Sequence, residues 1–401
     1  LDGAAIGATN GGLDIVGDGG GDRTLTVTSS AAGGENIDID LATTDQFSAV
    51  LVTLADASSS IDILLGGTDL IDINGASTLS TINQVNLTAT DPTFTYDLNE
   101  GSTNVLIGDG SGTDDILVGG ASAVRITSPG AITLGASGDD TVILTEGDAD
   151  VILIAESGAI TDATADASTI KLTGDGDLKL TATTGIGTSG TPIQTEALTD
   201  FAATTAGSVG VFVTNTSSGI VNITTVDSTA GVTDTSTGAI TIINTGRNIT
   251  VTNVVTAASG NVTLTGAIFD VNASISGRAV DINASGAIDV AAGSRVIAGG
   301  NSTALTIDAL GITLNAGTNV ANATVTNTGT GTITLTSTGA GNITLAVNAI
   351  SIADGLLTLT ATADDILVVT DSGTEIDADG NITLDGAAIG ATNGGLDIVG
   401  D

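Results

Sequence analysis

The sequence contains no cysteine, histidine, methionine or tryptophan, and each absence removes a class of chemistry. Without cysteine there is neither a disulfide nor a thiolate nucleophile. Without histidine there is no Ser-His-Asp triad, no Cys/His zinc site and no histidine-ligated haem. Aromatics are scarce as well, one tyrosine (Tyr96) and five phenylalanines in 401 residues. Only three prolines occur (Pro92, Pro129 and Pro192), and Lys, Gln and Glu are too few to build long helices. Seven basic residues face 46 acidic ones, a formal net charge of −39. Nucleic acids and anionic membranes need a cationic surface, so neither is expected as a partner. No run of about 18 apolar residues is present, and no charged leader with an apolar core, so no membrane-spanning helix or signal peptide is expected in this segment.

What remains is 41% hydrophobic, nearly all Ile, Val, Leu and Ala, with 56 glycines. That is enough aliphatic mass to exclude disorder by composition. The most informative feature is a self-match. Leu1 to Asp18 read LDGAAIGATNGGLDIVGD, and Leu384 to Asp401 read the same. Eighteen identities at an offset of 383 residues point to a tandem array, seen as one period and the start of the next.

Locally, aliphatics alternate with Thr, Asn, Asp or Ser. Gly130-Ala-Ile-Thr-Leu134, Gly238-Ala-Ile-Thr-Ile242, Gly260-Asn-Val-Thr-Leu264, Gly331-Thr-Ile-Thr-Leu335, Gly341-Asn-Ile-Thr-Leu345 and Gly380-Asn-Ile-Thr-Leu384 each place two aliphatics on one strand face. Gly, Asn, Asp and Ser punctuate these runs, as residues that tolerate positive-φ corners do. An antiparallel sandwich would carry Pro-rich or Asn-Gly hairpin turns. One-directional GxIxL elements with small corner residues favour a parallel coil instead. Two or three strands per coil predict about 20 to 30 residues per coil, and a narrow aliphatic core explains the missing aromatics. The fold class expected is therefore all-β, a parallel β-helix (β-solenoid) forming a tandem-repeat rod.

Charge divides the period. Residues 1–200 hold 30 acids, 201–350 hold 6, and 351–401 hold 10. The expected organisation is an acidic segment over 1–200 with calcium-roll-like turns, a neutral Thr/Asn-rich segment over 201–353, and over 354–401 the start of the next acidic segment. The least repetitive stretch runs from Thr184 to Asp200 and contains Pro192.

The GxITL and GNITL elements, Ile186-Gly-Thr-Ser-Gly-Thr-Pro-Ile193 and the following VTNTSSGIVNI resemble filamentous-haemagglutinin-type repeats of very large bacterial surface proteins. The likeness covers Gly130 and Thr184 to Leu384 and is weaker in residues 1–120. It implies a right-handed parallel β-helix, export to the cell surface, and roles in adhesion or fibre formation.

Calcium is the candidate cofactor. Gly110-Ser-Gly-Thr-Asp-Asp-Ile-Leu117 and Gly135-Ala-Ser-Gly-Asp-Asp-Thr-Val142 approach the nonapeptide of calcium-binding β-rolls, in which tight turns aim carboxylates at a hard cation. Asp114, Asp115, Asp139, Asp140, Asp148 and Asp150 are the ligands that reading names, with Gly174-Asp-Gly-Asp177 and Asp364/Asp365 as weaker versions. The competing reading makes them exposed corner residues kept for solubility. Lys171 and Lys179 flank the acidic corner at Asp175 and Asp177, where solvated pairing is expected. Catalysis by paired carboxylates such as Asp139/Asp140 would need clustered bases and aromatic subsites. Arg23, Arg125, Lys171, Lys179, Arg247, Arg278 and Arg295 are instead scattered, so no enzyme is expected. Thr-x-Thr arrays (Thr24/Thr26/Thr28, Thr332/Thr334/Thr336, Thr358/Thr360/Thr362) suit an ice-binding face or simply the outward side of a strand. The eleven N-x-S/T sequons, Asn222 and Asn248 among them, follow from composition or from stacked Asn.

These observations lead to one expectation: a structural repeat unit of a giant secreted or cell-surface filament or adhesin, a rigid fibre or stalk in attachment or extracellular matrix. Its expected partners are further copies of itself and a host-cell or surface receptor. A calcium-stabilised surface-layer or calcium-roll module is the alternative, and a carbohydrate-active β-helix a remote third.

Overall fold

A strand with aliphatics at every second position has one apolar face. Parallel strands joined by tight corners can turn all those faces towards one axis. The computed structural model shows this arrangement: parallel strands stacked in register as a β-solenoid, with a 3-10 turn at Val320–Asn322 as the only helical element among the described residues. It describes residues 2–3, 24–29, 36–41, 49–54, 60–65, 70–75, 81–87, 93–98, 105–107, 116–119, 123–135, 141–146, 148–163, 169–216, 219–369, 373–391 and 395–400. The chain divides into two units, Leu1–Thr199 and Asp200–Asp401.

The first unit opens with two described strands per coil: Thr24–Ser29 and Asn36–Leu41, then Ala49–Leu54 and Ser60–Leu65, then Leu70–Gly75 and Thr81–Leu87. From Thr93–Leu98 onward a third strand joins, as in Ala123–Ser128, Ile132–Leu134 and Ile143–Glu146. The coils are longer there. Thr24 pairs with Ala49 and Ala49 with Leu70, both shorter steps along the chain than those from Val124 to Val151 and from Val151 to Leu178. Along the first strand of each coil one alternation phase is kept, whereas Ser60–Leu65 and Thr81–Leu87 shift register by one residue between Ile61 and Asp62. Leu25, Val50, Ile71, Phe94, Val124, Val151 and Leu178 stand in a single register column. Its described members Val124, Val151 and Leu178 are fully buried. Each such aliphatic contributes about 1.5–3 kcal/mol by leaving water.

The second unit has three strands per coil, for example Ala239–Asn244, Ile249–Val251 and Val255–Ala257, followed by Val262–Gly266, Phe269–Val271 and Ile275–Gly277. Its main column runs Ile240, Val262, Val280, Leu305, Ile333, Leu357, Ile382. The coil from Val262 to Val280 is short and the coil from Leu305 to Ile333 long, because corner loops shrink or grow while the strands stay fixed. Both lie near the expected coil length. Two corner loops carry structure of their own. Thr225–Val226 and Thr229–Ala230 form an antiparallel hairpin whose tip residues, Asp227 and Ser228, both have positive φ. Between Gly311–Leu314 and Val325–Asn327 the chain makes the 3-10 turn, capped by the Asn319 side chain.

The glycine that opens each GxITL element is needed for close approach and not for a positive φ. A Cβ on Gly260 would lie 1.7 Å from the carbonyl oxygen of Gly238 in the neighbouring coil, and one on Gly380 would lie 1.7 Å from that of Gly355. Neither Gly260 nor Gly380 has a positive φ. The expectation of left-handed corners therefore fails at these positions: the constraint is coil-to-coil spacing.

The far end of the long strand is a second tight point. Asn215, Asn244, Ala309, Ser337 and Ala361 take this place in their coils, all small or able to bond back to the turn. Asn215 Nδ2 donates to Asn244 Oδ1 at 2.9 Å, and Asn244 Nδ2 donates to the carbonyls of Asn248 at 2.7 Å and Gly219 at 3.2 Å. Buried amides here satisfy backbone carbonyls that the turn would otherwise strand.

Candidate functional site

Among the named calcium ligands, Asp114, Asp115, Asp139 and Asp140 lie outside the described residues. Asp148 and Asp150 are described and sit at a corner of the first unit, Asp148 exposed and Asp150 half-buried. Asp148-Ala-Asp150 stacks directly on Asp175-Gly-Asp177 of the next coil. The amide of Asp175 donates to Asp148 Oδ1 at 3.2 Å, and the amide of Asp177 to Asp150 Oδ1 at 3.0 Å. The middle residue explains the spacing: a Cβ on Gly176 would lie 2.2 Å from the carbonyl oxygen of Ala149. So one oxygen of each carboxylate terminates a backbone N–H of the next coil, a role short acidic residues play at turns. No group of three or more acidic side chains is gathered in metal-binding geometry among the described residues. The pairing of Asp148 with Asp175 and of Asp150 with Asp177 was legible only as a recurrence of the Asp-x-Asp pattern one coil later.

Two of the scattered bases show their partners plainly. Lys171 lies 3.3 Å from Glu196, its direct cross-strand neighbour, instead of pairing with Asp175 or Asp177. Both side chains are partly exposed, so the pair contributes at most about 1 kcal/mol. Arg295 spreads over the 3-10 turn. Its Nε donates to the carbonyl of Ala323 at 3.3 Å, one Nη donates to Asn322 Oδ1 at 3.1 Å, and the other to the carbonyl of Ala321 at 3.3 Å. Nothing in the sequence around Arg295 marked it as a loop clasp, because its partners, two backbone carbonyls and the side chains of Asn322 and Thr326, lie a full coil away along the chain.

Three features of the second unit carry the remaining chemistry. The outward column of the long strands reads Thr241, Thr263, Asp281, Thr306, Thr334, Thr358, Thr383. The next outward column is mixed, with Ile243, Thr265, Asn283, Asp308, Thr336, Thr360 and Asp385. The threonine array is thus a single line and not a two-dimensional lattice. Asp234 is the second feature. It is fully buried; Oδ1 accepts from the amides of Ser236 (2.9 Å) and Gly238 (3.2 Å), while Oδ2 is buried without a partner. Burial pushes its carboxyl above the usual carboxylate value, and the two backbone bonds only partly oppose that.

The third feature is the coil of Ile382–Asp385, Ile389–Ala391 and Ile398–Val399. Ile389 stacks on Ile366 and Ile398 on Ile376, so both belong to the inward columns. Yet Ile366 and Ile376 are 0% exposed, whereas Ile389 is 46% and Ile398 43% exposed. This coil is built like those beneath it, and no described strand covers it.

No family model matches the chain, and no curated protein and no solved structure shows a significant match to it.

Proposed function

We propose that this chain is the structural repeat unit of a giant secreted or cell-surface filament or adhesin, serving as a rigid fibre or stalk in attachment or in extracellular matrix. The observation that carries the reading is the conjunction of an 18-residue identity at an offset of 383 with aliphatic columns that keep one phase from coil to coil, as from Val124 to Leu178 and from Ile240 to Ile382. A coil has no core of its own; it is stabilised by its two neighbours, so length is added by adding repeats. The resemblance of the GxITL elements to filamentous-haemagglutinin-type repeats supports a bacterial, extracellular setting and a surface or host-cell receptor as the thing attached to. Lack of Cys and Met fits a chain exposed to oxidants. The mechanism is mechanical: backbone hydrogen bonds along the axis resist extension, and copy number sets reach. Neither catalysis nor a bound cofactor enters this reading.

The test is electron microscopy of chains carrying one, two and three periods. Particle length should rise by a constant increment per period at constant width; compact particles that thicken instead would refute a fibre. Circular dichroism in chelator separates the calcium-roll alternative. The β signal should persist, because Asp148 and Asp150 spend an oxygen each on backbone amides; its loss would replace the purely structural reading by a calcium-dependent one.

A further inference from the structure

The coil Ile382–Val399 presents inward residues that no described strand covers, and the self-match indicates which strand follows it in a tandem array. Resting on the tandem reading above, we infer that the strand Ile382–Asp385 of one copy pairs in parallel with the strand Thr24–Ser29 of the following copy, Ile382 opposite Leu25 and Leu384 opposite Val27.

The register comes from the repeated segment itself. Asp385 and Gly386 are the same residues, one period later, as Asp2 and Gly3. Asp2–Gly3 forms a parallel pairing with Thr28 and Ser29, Asp2 opposite Thr28 and Gly3 opposite Ser29. Shifting that pairing by one period sets Asp385 against Thr28 of the next copy. Counting back along both strands then sets Leu384 against Val27, Thr383 against Thr26 and Ile382 against Leu25.

Three independent features agree with this register, and a slip of one residue would put inward side chains on the outer face. First, phase: Ile382 and Leu384 stack on Leu357 and Leu359, both fully buried, and so are inward positions. Leu25 and Val27 head the columns that run through Val50 and Val52 to the buried Val124 and Ile126. The pairing therefore joins inward column to inward column. Second, the tight point at the strand end: Ser337 and Ala361 are followed there by Gly386 and then Ser29, small residues without exception. Third, coil length: the stretch from Ile382 to the next copy's Leu25 is longer than the coil from Val262 to Val280 and shorter than the coil from Leu305 to Ile333. The outward threonine line also continues, from Thr358 through Thr383 to Thr26. The occupant of the open coil is thus a second copy of this chain.

The chain has no cysteine, so an introduced pair reports the register directly. Paired Cα atoms in adjacent strands lie within disulfide reach. In a chain of two periods, Thr383→Cys in the first with Thr26→Cys in the second should close an intramolecular disulfide on mild oxidation, read as a mobility shift without reductant. Thr383→Cys with Val27→Cys, on the opposite face, should not. Amide exchange of residues 382–399 should also slow by about tenfold or more in the unmodified two-period chain relative to the one-period chain, as local opening there becomes rarer. A continuous particle that cross-links only through Val27, or through no pair at this strand, overturns the register and leaves the fibre reading standing. Two separately tumbling bodies with unprotected 382–399 amides overturn both.

Discussion

The glycine stack gives the sharpest quantitative test of the fold. Consider Gly260→Ala. Its Cβ would lie 1.7 Å from the Gly238 oxygen and 2.5 Å from the Gly238 carbonyl carbon, backbone atoms that cannot rotate away. Restoring even a 3.0 Å contact requires the two coils to part by about 1.3 Å, against a normal strand spacing of about 4.8 Å. The bond between these two coils nearest this point is the Ile240 amide to the Asn261 carbonyl at 2.8 Å. Stretching it by that much puts it past the useful range of a hydrogen bond. At roughly 0.5–1.5 kcal/mol for the bond, plus about 1–3 kcal/mol for leaving its groups buried and unpaired, the expected destabilisation is about 2–4 kcal/mol. The contrast is Gly190→Ala, where a Cβ would meet nothing within 4 Å and φ is not positive. There the stiffer unfolded chain should leave stability unchanged or raised by up to about 1 kcal/mol. Because repeat proteins can unfold in parts, each variant is best read by amide exchange of the coils on either side of the substitution, alongside thermal melting. Equal effects from the two substitutions would refute the claim that GxITL glycines set coil spacing.

The other predictions concern the core, the clasp and the buried acid. Leu335→Ala removes a fully buried column residue between Ile307 and Leu359 and should cost about 2–5 kcal/mol, measured by denaturant unfolding; a cost under about 1 kcal/mol would mean the column is not packed as described. Arg295→Ala frees the 3-10 turn, so limited proteolysis should cut within 315–324 several times faster while cleavage elsewhere is unchanged; uniform acceleration would show a global effect instead. Asp234 has its folded carboxyl raised above 3.8, so the folded chain binds the proton more tightly than the unfolded one. Stability should then fall as pH rises from about 3.8 through the folded value, with the penalty fully present above it. Asp234→Asn should remove that fall, seen as a variant-minus-parent difference that grows with pH; a flat difference would refute it.

Much of the architecture was readable because a solenoid repeats one local decision many times. The alternation in Gly331-Thr-Ile-Thr-Leu335 or Gly380-Asn-Ile-Thr-Leu384 fixes which side chains face in, and single orientation with scarce proline fixes parallel pairing. Coil length was legible to within a few residues for the same reason. What alternation does not encode is the number of sides. The strands Asn36–Leu41 and Ile132–Leu134 read alike, yet one belongs to a coil with two described strands and the other to a coil with three. That choice depends on how the corners between strands fold, and short polar corners such as 315–324 carry little periodic signal. The partner of Lys171 was missed for a related reason: Glu196 is a coil away along the chain but directly opposite in the sheet, whereas Asp175 is near only in sequence.

The acidic corners show how far local motif reading reaches in such a fold. The Asp148-Ala-Asp150 corner looks like a pair of ion ligands when judged one turn at a time. In a solenoid each turn has another directly above it, and the first demand on a corner carboxylate is the backbone N–H of the neighbouring coil. Asp148 and Asp150 meet that demand for Asp175 and Asp177. The same logic applies to Asn342, whose Oδ1 accepts the amide of Asp365 at 3.0 Å, and to Glu375, whose carboxylate accepts the amide of Asp397 at 2.9 Å. Short polar side chains at these corners continue the axial hydrogen-bond rows where the strands leave off. A row that runs through strands and corners alike distributes axial load over the whole circumference of the coil, which is the property a stalk requires.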